Sequence, residues 1–225
     1  MRGTMKIDIL TLFEGMFQGV FEESIIKRAR DEKKVEISLI NFRDYSKDPH
    51  HKVDDTPYGG GRGMVLMVQP IYDAVMHLKK ENSKVILLTP SGTPYQQKMA
   101  YDLSEEEHLI IICGHYEGFD ERIKSIVDLE ISIGDYVLTG GEIPAMVLVD
   151  SITRLLPGVI TEESHQKDSF NDGLLDYPTY TKPREFMGME VPEVLTSGDH
   201  QKIEEYRQKE KQRITEEKRK DLLEK

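Results

Sequence analysis

Over the first 41 residues the spacing of apolar positions changes twice. "KIDILTL" (6–12) reads as a strand, "EGMFQGVFEESIIKRARDEKK" (14–34) sets Met16, Val20, Phe21 and Ile25 at helical spacing, and "VEISLIN" (35–41) alternates again. The pattern predicts a β-α-β start. Further on, "PIYDAVMHLKK" (70–80) predicts a helix with Pro70 in its first turn, "KVILLTP" (84–90) a buried strand, and residues near 94–104 a helix. "HLIIICG" (108–114) predicts another buried strand and "PAMVLVDSITRLL" (144–156) another helix, again led by a proline. Strands alternating with helices, two of them continuously apolar, imply a mostly parallel sheet covered on both faces.

From Pro157 to about Val194 the periodicity gives way to Gly, Pro, Asp, Ser and Thr. A stretch of that length is either a functional loop or an interdomain linker. Residues 197–225 then read as helix, with Ser197 or Asp199 as N-cap. The expected organisation is an α/β domain at 5–160, a flexible linker at 161–175 and a small α-helical domain at 176–225.

Composition narrows the class. The 225 residues suffice for a large domain with an appendage, and 38% hydrophobic with 32% charged residues fit a globular chain. Apolar runs such as "LIIIC" (109–113) are too short to span a bilayer, and the N-terminus lacks a signal-peptide stretch, so no membrane partner and a cytoplasmic location are expected. Residues 1–4 precede a second methionine, Met5, where the strand pattern begins, and are set aside from the fold. One cysteine, Cys113, excludes an internal disulfide and a cysteine-rich zinc site, and no metal-ligand set is expected. A net charge of −11 by itself argues against nucleic acid. The last 25 residues nevertheless hold nine basic against seven acidic side chains, so the tail is basic relative to an acidic body.

Three strand ends run into glycine turns: "VILLTPSG" (85–92), "LIIICGHYEG" (109–118) and "ISIGDYVLTGG" (131–141). Any one glycine could simply serve a tight turn. Three such ends in one open α/β sheet point to a shared ligand pocket past the carboxyl ends of the strands. Neither G-x-G-x-x-G after the first strand nor G-x-x-x-x-G-K-[ST] occurs, and the turns carry no lysine. Backbone groups beside Leu138 and Tyr136 suit an uncharged or cationic nucleoside better than a polyphosphate. A fourth glycine cluster, "DDTPYGGGRGM" (54–64), is either a flexible surface loop or a loop laid flat against a base or phosphate with Arg62 supplying charge.

Taken together, "PYGGGRGM", "CGHYEGFDER", "SIGDYVLTGGEIPAM", "RLLPGV" and "DSF-x-x-GLLDYPTYT-x-P" closely resemble the bacterial tRNA (guanine-N1)-methyltransferases, members of the SPOUT superfamily, over nearly the whole chain from Met5. Two departures are local: Glu14-Gly15 stands where the family has Pro-Glu, and the tail lacks the tryptophan found in many relatives. The resemblance implies an α/β fold with a deep trefoil knot at the end of the sheet, which periodicity does not reveal and general topology rules would exclude. It implies S-adenosyl-L-methionine as methyl donor, bound in the knot by Thr89, Pro90, Gly92, Gly114, Tyr116, Glu117, Ile133, Gly134, Asp135, Tyr136, Val137, Leu138, Gly140, Gly141 and Pro144.

The implied reaction methylates N-1 of the guanosine immediately 3′ of the anticodon in tRNA. That nitrogen carries a proton at neutral pH, so a general base and stabilisation of the developing negative charge are needed. Resemblance assigns the first role to Asp168 and the second to Arg154. It further implies a homodimer with the active site between subunits and guanine contacts from Ser164 and Asp176 with Gly59 and Gly60 opposite. Arg184, Lys202, Arg207 and the basic tail are candidate phosphate contacts, each equally readable as solvated surface. Whether Mg2+ assists deprotonation is left open. The rival readings are a non-catalytic RNA- or nucleoside-binding module, and an enzyme of the same fold acting on another base or on ribose.

Overall fold

The computed structural model describes residues 3–161 and 168–224, and the chain divides into two compact units, Met1–Ile160 and Thr161–Lys225. The first unit is built on five strands, β1 (Met5–Thr11), β2 (Val35–Asn41), β5 (Ser83–Pro94), β6 (His108–Ile112) and β7 (Leu129–Ser132), in the order β2-β1-β6-β5-β7. All four pairings are parallel, as strands linked by helical crossovers must be. A two-stranded antiparallel ladder, β3 (Asp54–Asp55) with β4 (Val65–Leu66), brackets the glycine cluster.

Each central strand sends successive side chains to opposite faces, and both faces are covered. On one face Ile7, Ile9, Ile86, Leu109 and Ile111 meet Ile26 and Ala29 of α2 (Ser24–Asp31), Leu103 of α4 (Gln97–Ser104), and Ala145, Leu148, Val149 and Ile152 of α5 (Glu142–Thr153). On the other, Leu10, Val85, Leu87, Ile110 and Ile112 meet Ile71, Ala74 and Val75 of α3 (Val68–Leu78). This double burial explains why β6 reads as an unbroken apolar run: each of its five residues is buried.

Two local expectations are corrected. The helix expected across 14–34 is broken into a 3₁₀ turn (Glu14–Phe17), a single turn α1 (Gln18–Phe21) and α2, because Ser24 adopts φ +51° and redirects the chain. Strand β5 runs beyond Pro90 to Pro94, and both Leu88 and Thr93 lie opposite Ile131, so residues 89–92 leave the ladder.

In the second unit, α6 (His200–Lys218) begins at Asp199, whose side chain accepts a hydrogen bond from the backbone N–H of Lys202 at 3.2 Å. A hairpin joins β8 (Glu185–Phe186) to β9 (Met189–Glu190). Residues 168–175, expected as linker, are hydrogen-bonded within this unit. No helix among the described residues is long and apolar enough to cross a membrane.

Because Ile111 is fully buried between two layers of helices, Ile111→Ala is expected to lower stability by about 2–5 kcal/mol. Denaturant unfolding would read this, and a loss well under about 1 kcal/mol would contradict the packing described.

Candidate active site

A cavity of about 260 Å³ opens past the carboxyl ends of β5, β6 and β7. Its walls come from three segments: Leu88, Thr89 and Pro90; residues 114–119; and residues 131–134, 136–141 and 144. Thirteen of the fifteen residues expected around the methyl donor line it: Thr89, Pro90, Gly114, Tyr116, Glu117, Ile133, Gly134, Tyr136, Val137, Leu138, Gly140, Gly141 and Pro144. Gly92 and Asp135 are not among the wall residues. Gly92 serves instead as a backbone crossing, since a Cβ there would run into the main chain of Glu130 and Ile131.

The closest approach lies at the mouth of α5. The Gly141 N–H donates to the Gly114 carbonyl at 2.8 Å, and a Cβ on Gly141 would sit 2.7 Å from both the Cys113 Cα and the Gly114 N. Only glycine allows two main chains this close. Tyr116, in the facing turn, holds φ +59°, a left-handed conformation that is uncommon for a bulky side chain and clusters at functional sites.

Beneath this crossing lies a polar group that the sequence reading missed. Glu142, 1% exposed and in the first turn of α5, accepts from the Thr11 hydroxyl at 2.7 Å, and its other oxygen pairs with His115 Nε2 at 3.0 Å. Both oxygens are engaged, as a buried carboxyl requires. The Phe13 ring lies 4.5 Å from the imidazole, and the Phe13 N–H donates to the Thr11 hydroxyl at 3.0 Å. The signal was present in "CGHYEG" and "GGEIPAM", but Thr11 and Glu142 stand 131 residues apart, beyond any local pattern.

The donor set suits the expected ligand. Among the described residues no lysine or arginine lines the cavity, whereas Glu117 does, so these walls offer apolar faces, bare backbone and a carboxylate. A polyphosphate would find no counter-charge there. A neutral nucleoside bearing a sulfonium would find apolar and main-chain contacts for the first and a carboxylate for the second.

The glycine cluster is tied to the same wall. Glu117 N donates to Met64 O at 3.0 Å and Leu66 N to Gly118 O at 2.9 Å, while Gly63 abuts the Glu117 side chain. Gly59 and Gly60 project free of neighbours at φ +86° and +79°, beside a fully exposed Tyr58. Arg154 stands half-buried at the C-cap of α5. Asp168 and Asp176 belong to the second unit and are half-buried, with the Asp176 carboxylate accepting from the Tyr177 N–H at 2.7 Å. Ser164 lies outside the described residues. Arg184 and Lys202 are exposed, the latter 3.0 Å from Asp199, while Arg207 stacks over the Tyr177 ring at 4.8 Å. Among the described residues no cluster of three or more His, Cys, Asp or Glu forms a metal site.

Gly141→Ala is expected to cost about 1–3 kcal/mol of stability by overpacking and to weaken S-adenosylmethionine binding in calorimetry; unchanged melting and affinity would contradict the crossing. Cys113 is buried against Gly141, and burial, reinforced by nearby Glu142, pushes its thiol well above the usual range. It should therefore take up iodoacetamide only after unfolding; labelling of the folded chain, read by mass spectrometry, would show that the wall opens.

Comparison with known proteins agrees with this geometry. The family model described as tRNA (Guanine-1)-methyltransferase TrmD matches residues 5–225. A tRNA (guanine-N(1)-)-methyltransferase of Dictyoglomus turgidum is 57% identical over 222 residues, covering 98% of this chain and 91% of the relative. Proteins of the same name from Staphylococcus carnosus (56% identical; 97% and 91% covered) and Bacillus cereus (57%; 98% and 92%) are similarly related. With the match running from the first strand to the end of the tail, the chain belongs to the tRNA (guanine-1)-methyltransferase TrmD family.

Proposed function

We propose that the protein transfers a methyl group from S-adenosyl-L-methionine to N-1 of the guanosine immediately 3′ of the anticodon in tRNA, leaving 1-methylguanosine and S-adenosylhomocysteine. The observation that carries this reading is the cavity walled by three main-chain turns, with no lysine or arginine among its described wall residues, in a chain that matches the family over residues 5–225. The approach of Gly141 to residues 113–114 and the excursion of residues 89–92 from the sheet support a knotted passage of the chain at this point.

When bound, S-adenosylmethionine supplies an activated methyl on a sulfonium, transferred in line to the ring nitrogen while sulfur leaves as a neutral thioether. The backbone of Gly114, Gly140 and Gly141, with Leu138 and Ile133, binds and orients the adenosyl part, and Glu117 favours the positive end. Asp168 takes the proton from N-1 as that nitrogen becomes a nucleophile. Arg154 stabilises the negative charge that spreads onto the neighbouring carbonyl oxygen. Asp176, Gly59 and Gly60 contact the guanine, and Ser164 joins them in the same reading. In this reading Asp168 meets N-1 as the enzyme closes over the RNA, so that substrate binding assembles the site.

The same reading includes a homodimer in which Asp168 acts at the cavity of the partner subunit. Ile143 and Val147 on the outer side of α5, and Met16 on the turn packed against it, are left exposed and suit burial against a second copy. Arg184, Lys202 and other basic tail residues would meet phosphates. A cytoplasmic location is part of the proposal, and whether Mg2+ assists deprotonation is decided by the chelator experiment below.

Incubation with labelled S-adenosylmethionine and unmodified tRNA, followed by nucleoside analysis, should give 1-methylguanosine; a methyl on ribose or another base, or none, would favour the rival readings. Repeating it with a chelator tests the metal. Asp168→Ala and Arg154→Ala should keep the fold and methyl-donor affinity but lose about 10²–10⁴ in rate. Near wild-type turnover by Asp168→Ala at saturating tRNA would overturn the assignment of the base.

A further inference from the structure

The tail helix was expected to offer its basic residues to RNA, yet one lysine points the other way. Lys211 on α6 is 5% exposed, and its Nζ donates to Asp172 Oδ2 at 2.6 Å. One turn on, Thr215 is fully buried; its Oγ1 donates to the Lys211 carbonyl at 2.7 Å and accepts from the Leu175 N–H at 2.9 Å. Lysine is almost never buried unless paired, because a buried ammonium without a partner loses its hydration with nothing in exchange. Here the partner is half-exposed and lies in the segment that follows Asp168.

That segment is itself folded. Phe170 N donates to Leu174 O at 2.7 Å, Asp176 N to Ser169 Oγ at 2.9 Å, and Leu174 N to Asp172 Oδ1 at 3.2 Å. Burial pushes the Asp172 carboxyl up, but the hydrogen bonds from Lys211 and the Leu174 N–H outweigh it and hold the group below the usual carboxylate range. Rings seal both ends, with Tyr177 under the Arg207 guanidinium at 4.8 Å and Phe170 near that of Arg219 at 6.0 Å. The segment bearing both Asp168 and Asp176 is thus bolted to the helix at two buried points.

We infer that Lys211 and Thr215 are positioning residues: they act through Asp172 and Leu175 to fix the 168–177 loop on α6, so that Asp168 is delivered to the methyl-transfer site in one geometry. This rests on the reading of Asp168 as the base. A tethered base loses little entropy on closure, and a misplacement on the order of 1 Å costs up to about 10²-fold in rate. The helix would then do two jobs, presenting cations to RNA on its outer side and holding the catalytic loop with its buried side.

The test uses the full-length protein with unmodified tRNA at saturation. Lys211→Met keeps the packing volume and removes the ionic contact; the half-exposed Asp172 can then hydrate. Thr215→Val removes the hydroxyl with little change of shape, and Thr215→Ser restores it. Lys211→Met and Thr215→Val should each lower kcat by about 10-fold or more, with methyl-donor affinity, tRNA KM and the salt dependence of tRNA binding unchanged, and Thr215→Ser should recover near wild-type turnover. If Lys211 instead contacted phosphate, tRNA KM would rise and the salt slope fall by about one at constant kcat, which would overturn the inference. Wild-type kcat in both variants, with Asp168→Ala inactive, would overturn the anchoring alone. Wild-type turnover by Asp168→Ala would overturn the base assignment and the anchoring with it.

Discussion

The first unit is organised around a contact between two main chains. Where Gly141 meets Cys113 and Gly114, there is no room for a side chain, and the 2.8 Å hydrogen bond from Gly141 to Gly114 takes its place. Everything on the ligand side depends on this approach. It brings the turn after β6 against the start of α5 and sets their backbone groups around one cavity, whose described walls hold no lysine or arginine. The buried Glu142 serves the same contact from below, since its two oxygens engage β1 through Thr11 and the β6 turn through His115. A carboxyl in this position stabilises the crossing only while both partners are kept; any one missing leaves the others desolvated and unpaired.

What could be read from the residues follows from how locally each feature is encoded. Strand β2 appears at the expected residues, with Ile37 and Leu39 packed against one core cluster and Ile40 against the other. The pocket was legible because three strands ending in glycine need no long-range information to be noticed. Other features depended on distant partners. The 14–34 helix failed because apolar spacing says nothing of Ser24 entering the left-handed region. The extension of β5 past Pro90 follows from its pairing with β7, some forty residues away. Likewise Glu142, ahead of the helix expected from Pro144, carried no local signal of the pairing that brings Thr11 and His115 beside it. The roles proposed for Asp168 and Arg154 rest on resemblance alone, because neither spacing nor periodicity distinguishes a base from a solvated loop aspartate.

The second unit shows a similar limit on counting charges. Summed over the tail, Lys211 and Arg207 belong to a modest basic excess that suggests RNA. In the structure one is buried against Asp172 and the other lies over Tyr177. Charge on a helix is a property of faces, and this helix has an inward one. Its exposed pairs, such as Arg213 with Glu210 and Glu217, add little to stability individually.

The 131 residues separating Thr11 from Glu142 also bear on when the cavity comes into existence. Each of its three walls is a local segment, but they meet only once β5, β6 and β7 are paired, so a chain that has not yet placed β7 and the start of α5 lacks the site. A ligand held there discriminates fully between the finished fold and everything short of it. By mass action such a ligand protects the native state by RT ln(1 + [L]/Kd), so its supply becomes a term in the folding equilibrium of the protein.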